Sequence, residues 1–406
     1  MTIPPLAPYI HREVPLDFAG RRLQFATSLD LFSSHQVDVG TRLLLRTIEP
    51  VLADRAAEGA RVLDLGCGYG ALGVALATLP QVASARLVDR DALGLDMARE
   101  NARRNGVEGC VTVETSLGLD DVTERYDLVA ANLPGRAGEP VLTSMLLGAL
   151  GVLRPGGLVA VVVIEPIRDH VARTLAREDI EVTLRRDTAD YSVFHYQPAG
   201  DASFPAPESA FASGAYERGT FTFEDGQGES VTLATVHGLP NYDRFDHLET
   251  ALTRRLPHIG RDARVVVSNV GQGALPAWLL REQPEARFVL VDRDLLALRT
   301  AHRALLALGC AEDRVETHHI GAWSEGAASD LPADLVAGVL HEGGSAAAVA
   351  AEYAGLVSTI APGGRAVLAG SSTAVTRLLA LPLAAGLRAS RTRHRGTSIL
   401  EVQRDA

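Results

Sequence analysis

The chain of 406 residues contains no lysine, so all 39 of its Lys/Arg positions are arginines. Any phosphate-binding group in this protein must therefore be built from guanidinium side chains. The basic residues come in runs no longer than pairs, such as Arg21-Arg22 and Arg254-Arg255, and the formal net charge is −11. This balance counts against an extended polyanion-binding face, although a local basic patch is compatible with it.

Cysteines and long apolar stretches are also scarce. Cys67, Cys110 and Cys310 form no CxxC motif or Cys/His cluster, so we expect neither a disulfide framework nor a metal site. Hydrophobic residues make up 47% of the chain, yet no uninterrupted apolar run reaches about 18 residues, which excludes a membrane span. The first 18 residues contain acids and prolines without an apolar core, unlike a secretory signal. We therefore expect a cytoplasmic protein.

The chain does contain an internal repeat. Residues 61–91 and 264–294 each read as an apolar run, a glycine turn, a helix rich in small residues and a second apolar run ending in Val-Asp-Arg-Asp. Alignment of the two copies pairs Gly66 with Gly271 and indicates that a whole domain was duplicated.

The length of the chain also indicates two domains, because a typical domain has about 100 to 200 residues. Residues 199–219 are rich in Ala, Ser, Pro and Gly, a composition typical of a linker. The predicted domains are residues 1–205 and 206–406.

Within each copy, strand patterns alternate with helical patterns. The predicted strands of the first copy are 61–65, 85–89, 111–114, 127–131 and 158–164. This alternation predicts the α/β class, with two tandem doubly wound (Rossmann-like) domains whose parallel sheets are covered on both faces. The segment before each domain reads as a small N-terminal β-hairpin around a glycine turn. In such folds the ligand binds at the carboxyl ends of the strands.

A glycine turn and two acidic residues fall at that edge in the first copy. Asp64 ends the first predicted strand, Gly66, Gly68 and Gly70 follow it, and Asp89 ends the second strand. Glycines let the backbone pass close to a ligand, and an acid at the second strand end can accept hydrogen bonds from ribose hydroxyls. The pattern predicts a nucleoside cofactor.

Two cofactor classes fit the turn. Gly66, Gly68 and Ala71 satisfy a loose dinucleotide fingerprint, G-x-G-x-x-[GA]. S-adenosylmethionine (SAM) is favoured because Asp64 would repel a pyrophosphate and attract the ammonium of a methionine moiety. The segment Asn132-Leu133-Pro134, which ends the fourth predicted strand, also favours SAM.

These motifs together resemble a known family. The stretches LFSSHQVDVGTRLLL, VLDLGCGYGALG, VDRD, ARENARRNG and DLVAANLPGRAG are similar to the methyltransferase small domain of the ribosomal RNA guanine-N2 methyltransferases. Members of that family are class I SAM-dependent enzymes, built as tandem duplications with one degenerate copy. The resemblance covers residues 15–198 well and 219–406 more faintly. It implies methyl transfer to a guanine amino group of rRNA, although here the amino-terminal copy keeps the motifs.

The resemblance also implies site residues. The implied cofactor-binding residues are Asp38, Thr41, Asp64, Gly66, Gly68, Gly70, Asp89, Ser116 and Asn132. The glycines would wrap the methionine part, Asp89 would hold the ribose, and Ser116 stands where the family usually has an Asp near the adenine. The implied catalytic residues are Asn132, Leu133 and Pro134.

This catalytic segment departs from the family's Asn-Pro-Pro-aromatic pattern. Leu133 replaces the first proline, and Gly135 removes the ring that would stack on a target base, while Arg136 could contact a phosphate or a carboxylate. The Asn132 side-chain carbonyl and the Leu133 main-chain carbonyl could still accept N–H bonds from an amine. No strong base is required, because the nitrogen loses its proton easily once it has become cationic.

The second copy is expected to be degenerate and to serve in substrate binding or structure. Asn269 stands at the counterpart of Asp64, and residues 339–344 replace the Asn-Leu-Pro segment. An independent site using His341 and Glu342 is one alternative. For the whole protein, the alternatives are a small-molecule N- or O-methyltransferase and a non-catalytic binding protein. The sequence does not indicate the oligomeric state.

Overall fold

The computed structural model describes residues 6–55, 59–323, 332–394 and 396–406. They form two compact units, Ile10–Tyr216 and Glu217–Ala406, and residues 6–9 belong to the second unit. The sequence suggested a division at 205/206. Residues 206–216 instead pack on the first unit, where the Asp120 carboxylate accepts hydrogen bonds from Ser209 Oγ at 2.7 Å and Ala210 N at 2.8 Å.

The strands and helices of the first unit alternate as the sequence predicts. They are β1 (Arg12–Phe18), β2 (Arg21–Thr27), α1 (Val39–Arg55), β3 (Ala60–Leu65), α2 (Ala71–Ala77), β4 (Val82–Asp89), α3 (Ala92–Arg104), β5 (Val111–Thr115), β6 (Tyr126–Asn132), α4 (Glu139–Gly151), β7 (Leu153–Ile164), α5 (Arg168–Leu175), β8 (Ile180–Asp187) and β9 (Tyr191–Pro198). β1 and β2 form a separate antiparallel hairpin. The other strands form one sheet in the order β5-β4-β3-β6-β7-β9-β8.

The second unit repeats this arrangement. Its elements are β10 (Glu217–Glu224), β11 (Ser230–Val236), α6 (His247–Thr253), β12 (Arg264–Ser268), α7 (Ala274–Glu282), β13 (Arg287–Asp292), α8 (Leu295–Ala307), β14 (Val315–His319), β15 (Ala333–Val339), α9 (Ala346–Ser358), β16 (Ile360–Ser371), α10 (Ser372–Leu379), β17 (Leu387–His394) and β18 (Thr397–Arg404). β10 and β11 form the hairpin, and the sheet order is β14-β13-β12-β15-β16-β18-β17.

The predicted α/β class, with tandem Rossmann-like domains that each carry a hairpin, is confirmed. The sheets, however, are mixed rather than wholly parallel, because the last two strands of each sheet run antiparallel to their neighbours. The short connection between β8 and β9 can close a hairpin, whereas a parallel crossover needs a dozen or more residues.

Burial explains why the central strands read as apolar runs. β3 and β6 bury nearly all of their side chains, as strands covered on both faces must. Helix α3 begins at the cap Asp91, whose carboxylate accepts from Leu93 N at 3.0 Å, and it buries Leu93, Met97 and Ala98. Over the described ranges, no helix is long and apolar enough to cross a membrane.

Candidate active site

The turn between β3 and α2 borders open space. Gly66, Gly68 and Gly70 have φ values of 78°, 53° and 85°, in the left-handed region that favours glycine. A Cβ built on Gly66 or Gly68 would have no atom within 4 Å, whereas one on Gly70 would lie 3.1 Å from Ala98 Cβ. Gly70 is therefore needed for packing against α3, and the other two leave a cradle that a ligand can enter.

Asp89 holds this turn from the neighbouring strand end. One of its carboxylate oxygens accepts the Gly68 N–H at 2.8 Å, and the other accepts the Asp91 N–H at 2.8 Å. Burial raises the pKa of Asp89, and these two N–H bonds act in the opposite direction. The side chain is only half-buried, and each carboxylate oxygen has a second lone pair for another donor.

Asp64, at the end of β3, stabilises the turn through a hydrogen bond with the backbone of α2. Its side chain is 1% exposed and accepts the Gly73 N–H at 2.7 Å, which fixes the first turn of α2. Burial raises the pKa of Asp64 to about 7, an effect that the nearby Asp89 charge reinforces and the Gly73 N–H opposes. Its hydrogen bond is thus with the helix backbone and not with the open cradle.

Ser116 follows β5 and lies beside Asp89. Its backbone N–H donates to the Asp89 carbonyl at 3.0 Å. Its hydroxyl donates to Gly118 O at 2.9 Å and accepts from Asp121 N at 3.3 Å. The side chain is buried, so it shapes the loop beyond the second strand end.

The end of β6 and the start of α1 meet at Asn132. Its Nδ2 donates to Asp38 Oδ2 at 2.9 Å and to Thr41 Oγ1 at 3.0 Å. Asp38 is 8% exposed, and the same Oδ2 accepts the Thr41 N–H at 3.1 Å, which caps α1. The structure thus brings together three residues that the sequence singled out.

These bonds orient the Asn132 amide. An ionised carboxylate only accepts hydrogen bonds, so the amide atom that faces Asp38 is the nitrogen. Within the described part of the chain, no hydrogen bond uses the side-chain oxygen Oδ1 of Asn132. The arrangement therefore presents a fixed acceptor at the strand end.

Tyr191 is a member of this cluster that the sequence analysis did not identify as a site residue. Its hydroxyl donates to Asp38 Oδ1 at 3.1 Å, and burial together with the Asp38 charge raises its pKa. Tyr191 begins β9 and is in register with Ile164 at the end of β7. An antiparallel strand begins at the edge where parallel strands end. The position of Tyr191 at the start of β9 therefore places it at the site, whereas Phe194 and Tyr196 lie further along the strand and are buried.

The rest of the Asn-Leu-Pro segment forms one side of the site. Leu133 is buried and its N–H donates to Val162 O at 3.0 Å, while Pro134 is exposed. A Cβ on Gly135 would lie 2.4 Å from Ile164 Cδ1. Ile164 is 37% exposed, so an aliphatic side chain adjoins the position where the family pattern has a ring.

The second copy corrects the register of the repeat. Asp64 is paired with Leu87 in its sheet, and Val267 is paired with Leu290 at the equivalent place. Val267 therefore replaces Asp64, and Asn269 occupies the position of Gly66. Asn269 has a φ of 54°, which asparagine tolerates better than most residues. The pairing of Gly66 with Gly271 was wrong by two residues; Gly271 matches Gly68.

In the second copy, the Asn269 side chain occupies the space that is open over Gly66 in the first copy. Its Nδ2 donates to Val339 O at 2.7 Å and to Glu352 Oε1 at 2.6 Å. Glu352 is 6% exposed, accepts the His341 N–H at 3.1 Å, and has its pKa raised by burial to about 7. Val339 stands where the first copy has Asn132, so this strand end offers no amide.

Glu342 and His341 follow the end of β15 and form hydrogen bonds with different residues. The Glu342 carboxylate accepts hydrogen bonds from Ser371 N and Ser371 Oγ, each at 2.5 Å. The His341 backbone N–H donates to the Glu352 carboxylate at 3.1 Å. An independent site built from these two residues stays a prediction.

The first unit is thus an α/β domain with an open glycine turn at the carboxyl edge of its sheet. Residues 22–195 match the family model of the methyltransferase small domain. This match confirms the resemblance to the methyltransferase small domain that the sequence motifs predicted for residues 15–198.

Individual relatives match shorter stretches. A ribosomal RNA small subunit methyltransferase C of Hahella chejuensis is 34% identical over 144 residues, which are 34% of this chain and 40% of that protein. A ribosomal RNA large subunit methyltransferase G of Alcanivorax borkumensis is 29% identical over 180 residues, 43% of this chain and 45% of that protein. The chain thus spans less than half the length of these curated relatives.

One solved structure matches both units. It is that of a T. thermophilus 16S rRNA N2 G1207 methyltransferase (RsmC) in complex with AdoMet and guanosine, with a TM-score of 0.64 and 19% identity. The match covers 98% of this chain and 99% of that chain. At this identity the likeness shows the shared fold of tandem domains.

Proposed function

We propose that the first unit is a cytoplasmic SAM-dependent methyltransferase that acts on ribosomal RNA, and that the acceptor is a guanine amino group held at Asn132. The observation that carries this proposal is the open cradle over Gly66 and Gly68, at the same sheet edge as Asp89 and the oriented Asn132 amide. The relatives named as rRNA methyltransferases support the RNA substrate.

The residues around the turn fit SAM. When bound, SAM supplies a methyl group that the adjacent sulfonium charge has already activated. Gly66 and Gly68 leave room for its methionine part, and the spare lone pairs of Asp89 suit ribose hydroxyls. Ser116 would border the adenine through its loop. Because Asp64 is occupied by Gly73, we assign it to positioning the turn.

Asn132 would position the acceptor. Its amide nitrogen is fixed by Asp38 and Thr41, so its oxygen can accept an N–H of an amine and direct the nitrogen lone pair toward the methyl group. The main-chain carbonyl of Leu133 would accept the second N–H, and the exposed Pro134 would border the entrance. The chain mainly contributes orientation and exclusion of water, which are the main requirements of an in-line displacement.

A small-molecule N- or O-methyltransferase is the second candidate. It is favoured by Ile164, which adjoins Gly135 where a base-stacking ring would lie, and by the net charge of −11. The two candidates differ in salt dependence, because an RNA enzyme loses affinity steeply as salt rises.

The test is incubation with labelled SAM and three acceptor pools: deproteinised rRNA, unmodified ribosomal subunits and a metabolite extract. Label in a guanine of rRNA would support the proposal, and label in a metabolite alone would favour the second candidate. Titration calorimetry with SAM separates binding from turnover. Absence of SAM binding, or binding that Asp89→Ala leaves unchanged, would refute both and leave a non-catalytic binding protein.

A further inference from the structure

The two copies differ sharply in charge over one corresponding segment. Residues 146–194 of the first copy contain six arginines and seven acidic residues, whereas residues 353–400 of the second contain six arginines and no acidic residue. Both segments run from the fourth helix of the unit into the antiparallel strand pair at the sheet edge. The second copy therefore has as many arginines over this segment as the first copy, but none of the acidic residues.

The edge strands show this exchange position by position. In the first unit Arg185 pairs in register with Phe194, and Asp187 with Ser192. In the second unit Arg391 pairs with Leu400, and Arg393 with Ser398. Since β9 and β18 are equivalent strands, these registers align Arg391 with Arg185 and Arg393 with Asp187.

This alignment replaces an ion pair with two like charges. Arg185 and Asp187 form an ion pair at 3.0 Å. Arg391 and Arg393 occupy the same two places and, being two residues apart on one strand, lie on one face of the sheet.

The neighbouring helices show a second loss of the same kind. Arg173, the sixth residue of α5, lies 3.9 Å from Glu139, the first residue of α4. Arg377 is the sixth residue of α10, and Ala346 is the first residue of α9. The arginine is kept and its carboxylate partner is gone.

The three arginines of the second unit belong to one surface. Arg391 Nη1 donates to Thr376 Oγ1 at 2.6 Å, and Thr376 precedes Arg377 on α10. Arg377 and Arg393 are exposed, and no ion pair joins Arg377, Arg391 or Arg393 to a carboxylate among the described residues. We call Arg377, Arg391 and Arg393 the arginine face.

Nearby groups set the limits of this face. Glu342 lines the same depression as Arg377 and accepts hydrogen bonds from Ser371 N and Oγ, so its carboxylate bounds the face on that side. Arg388 points to the opposite side of the sheet and forms an ion pair with Asp405 at 3.1 Å. On the edge strand, Arg391 and Arg393 thus lie on one side of the sheet and the ion-paired Arg388 lies on the other.

We propose that the arginine face of the second unit binds the phosphate backbone of the RNA that the first unit methylates, a proposal that rests on the proposed function. Guanidinium groups bind phosphate oxygens in a bidentate manner, with shorter and stronger hydrogen bonds than neutral pairs make. Phosphate contacts of this kind set affinity and register without reading sequence. The copy that lacks Asn132 would then supply substrate affinity.

The test uses Arg393→Asp in the full chain, because this substitution recreates the Arg185–Asp187 pair of the first copy and should fold. It removes one phosphate contact and neutralises a second. Each lost contact lowers RNA affinity about five- to eightfold at 0.1 M salt and reduces the slope of log K against log salt by about 0.7 to 0.9. We therefore expect affinity for an unmodified rRNA transcript to fall roughly 25- to 60-fold, with an unchanged Kd for SAM.

Two further variants complete the experiment. Arg377→Ala should remove one phosphate contact and so reduce the slope of log K against log salt by about 0.7 to 0.9. Arg388→Asp, on the same strand but the opposite face, is the matched control and should change affinity far less. If wild type binds and methylates rRNA while Arg393→Asp and Arg377→Ala bind it normally, the arginine face is refuted and the proposed function stands. If wild type binds SAM but shows no salt-dependent RNA binding, both proposals fail.

Discussion

Substitution of one glycine in each copy separates a binding role of the turn from a purely structural one. Gly68 and Gly271 occupy equivalent positions with φ values of 53° and 51°, and a Cβ on either would have no atom within 4 Å. Gly68→Ala and Gly271→Ala therefore impose the same backbone strain in the same turn. The only expected difference between them is the ligand that would occupy the space over Gly68.

The structure sets the size of both effects. A left-handed alanine costs about 1 to 2 kcal/mol, and the reduced entropy of the unfolded chain returns about 0.4 to 1 kcal/mol of that. Each variant should thus lose about 1 kcal/mol of stability. In the first copy, the added methyl group would also overlap bound SAM, and overpacking of about 1 to 3 kcal/mol corresponds to a Kd raised about 5- to 150-fold.

The assay is titration calorimetry with SAM on both variants, with urea unfolding measured in parallel. Both tryptophans, Trp278 and Trp323, lie in the second unit, so tryptophan fluorescence reports its unfolding separately from the circular dichroism of the whole chain. Gly68→Ala should weaken SAM binding, and Gly271→Ala should not. Equal weakening in both variants, or wild-type affinity in Gly68→Ala, would refute a cofactor site confined to the first turn.

Three further predictions concern single side chains. Asn132→Ala should bind SAM normally and lose about 100-fold or more in turnover, because a misplaced acceptor costs about that much; normal turnover would exclude a role in positioning. Tyr191→Phe removes the donor to Asp38 Oδ1, so kcat should fall several-fold while the Kd for SAM stays constant; an equal loss of SAM affinity would instead assign Tyr191 to the cofactor. Glu352 has a folded-state pKa of about 7 against an ordinary value of 4.5, so the folded protein keeps a proton that the unfolded chain loses between these values. The free energy of unfolding of the second unit should therefore fall as pH rises through that window, by up to about 1.4 kcal/mol per pH unit from this group. Glu352→Gln should remove that contribution to the slope in urea titrations followed by tryptophan fluorescence, and an unchanged slope would contradict the burial argument.

Much of the fold could be predicted from the sequence, because a strand that is buried on both faces has mostly apolar residues. The segments 61–65 and 127–131 contain three and four apolar residues out of five, and the structure places β3 and β6 there. β8 was not predicted, since its outward side chains are charged and only Ile180 is buried. An edge strand exposed to water on one side has no continuous apolar run to identify it.

The site was predictable where chemistry depends on neighbours in sequence. The glycines, Asp89 and Asn132 all stand at strand ends, and strand ends of a parallel sheet share an edge. Tyr191 was missed because its contact with Asp38 joins residues 153 positions apart, and it depends on the reversed direction of β9. The arginine face was missed for a similar reason, because net charge averages over surfaces that only the folded chain separates.

The glycine turn has the same backbone conformation in both copies. Both copies keep left-handed φ values at all three turn positions, 78°, 53° and 85° in the first and 54°, 51° and 85° in the second. The backbone path is thus retained even where Asn269 occupies the space with its side chain. Packing explains this retention, because a Cβ on Gly70 would lie 3.1 Å from Ala98 of α3, and one on Gly273 would lie 3.0 Å from Ala301 of α8. A glycine turn alone therefore indicates the fold, and the space over Gly66 together with the amide of Asn132 distinguishes the copy that would carry out the reaction.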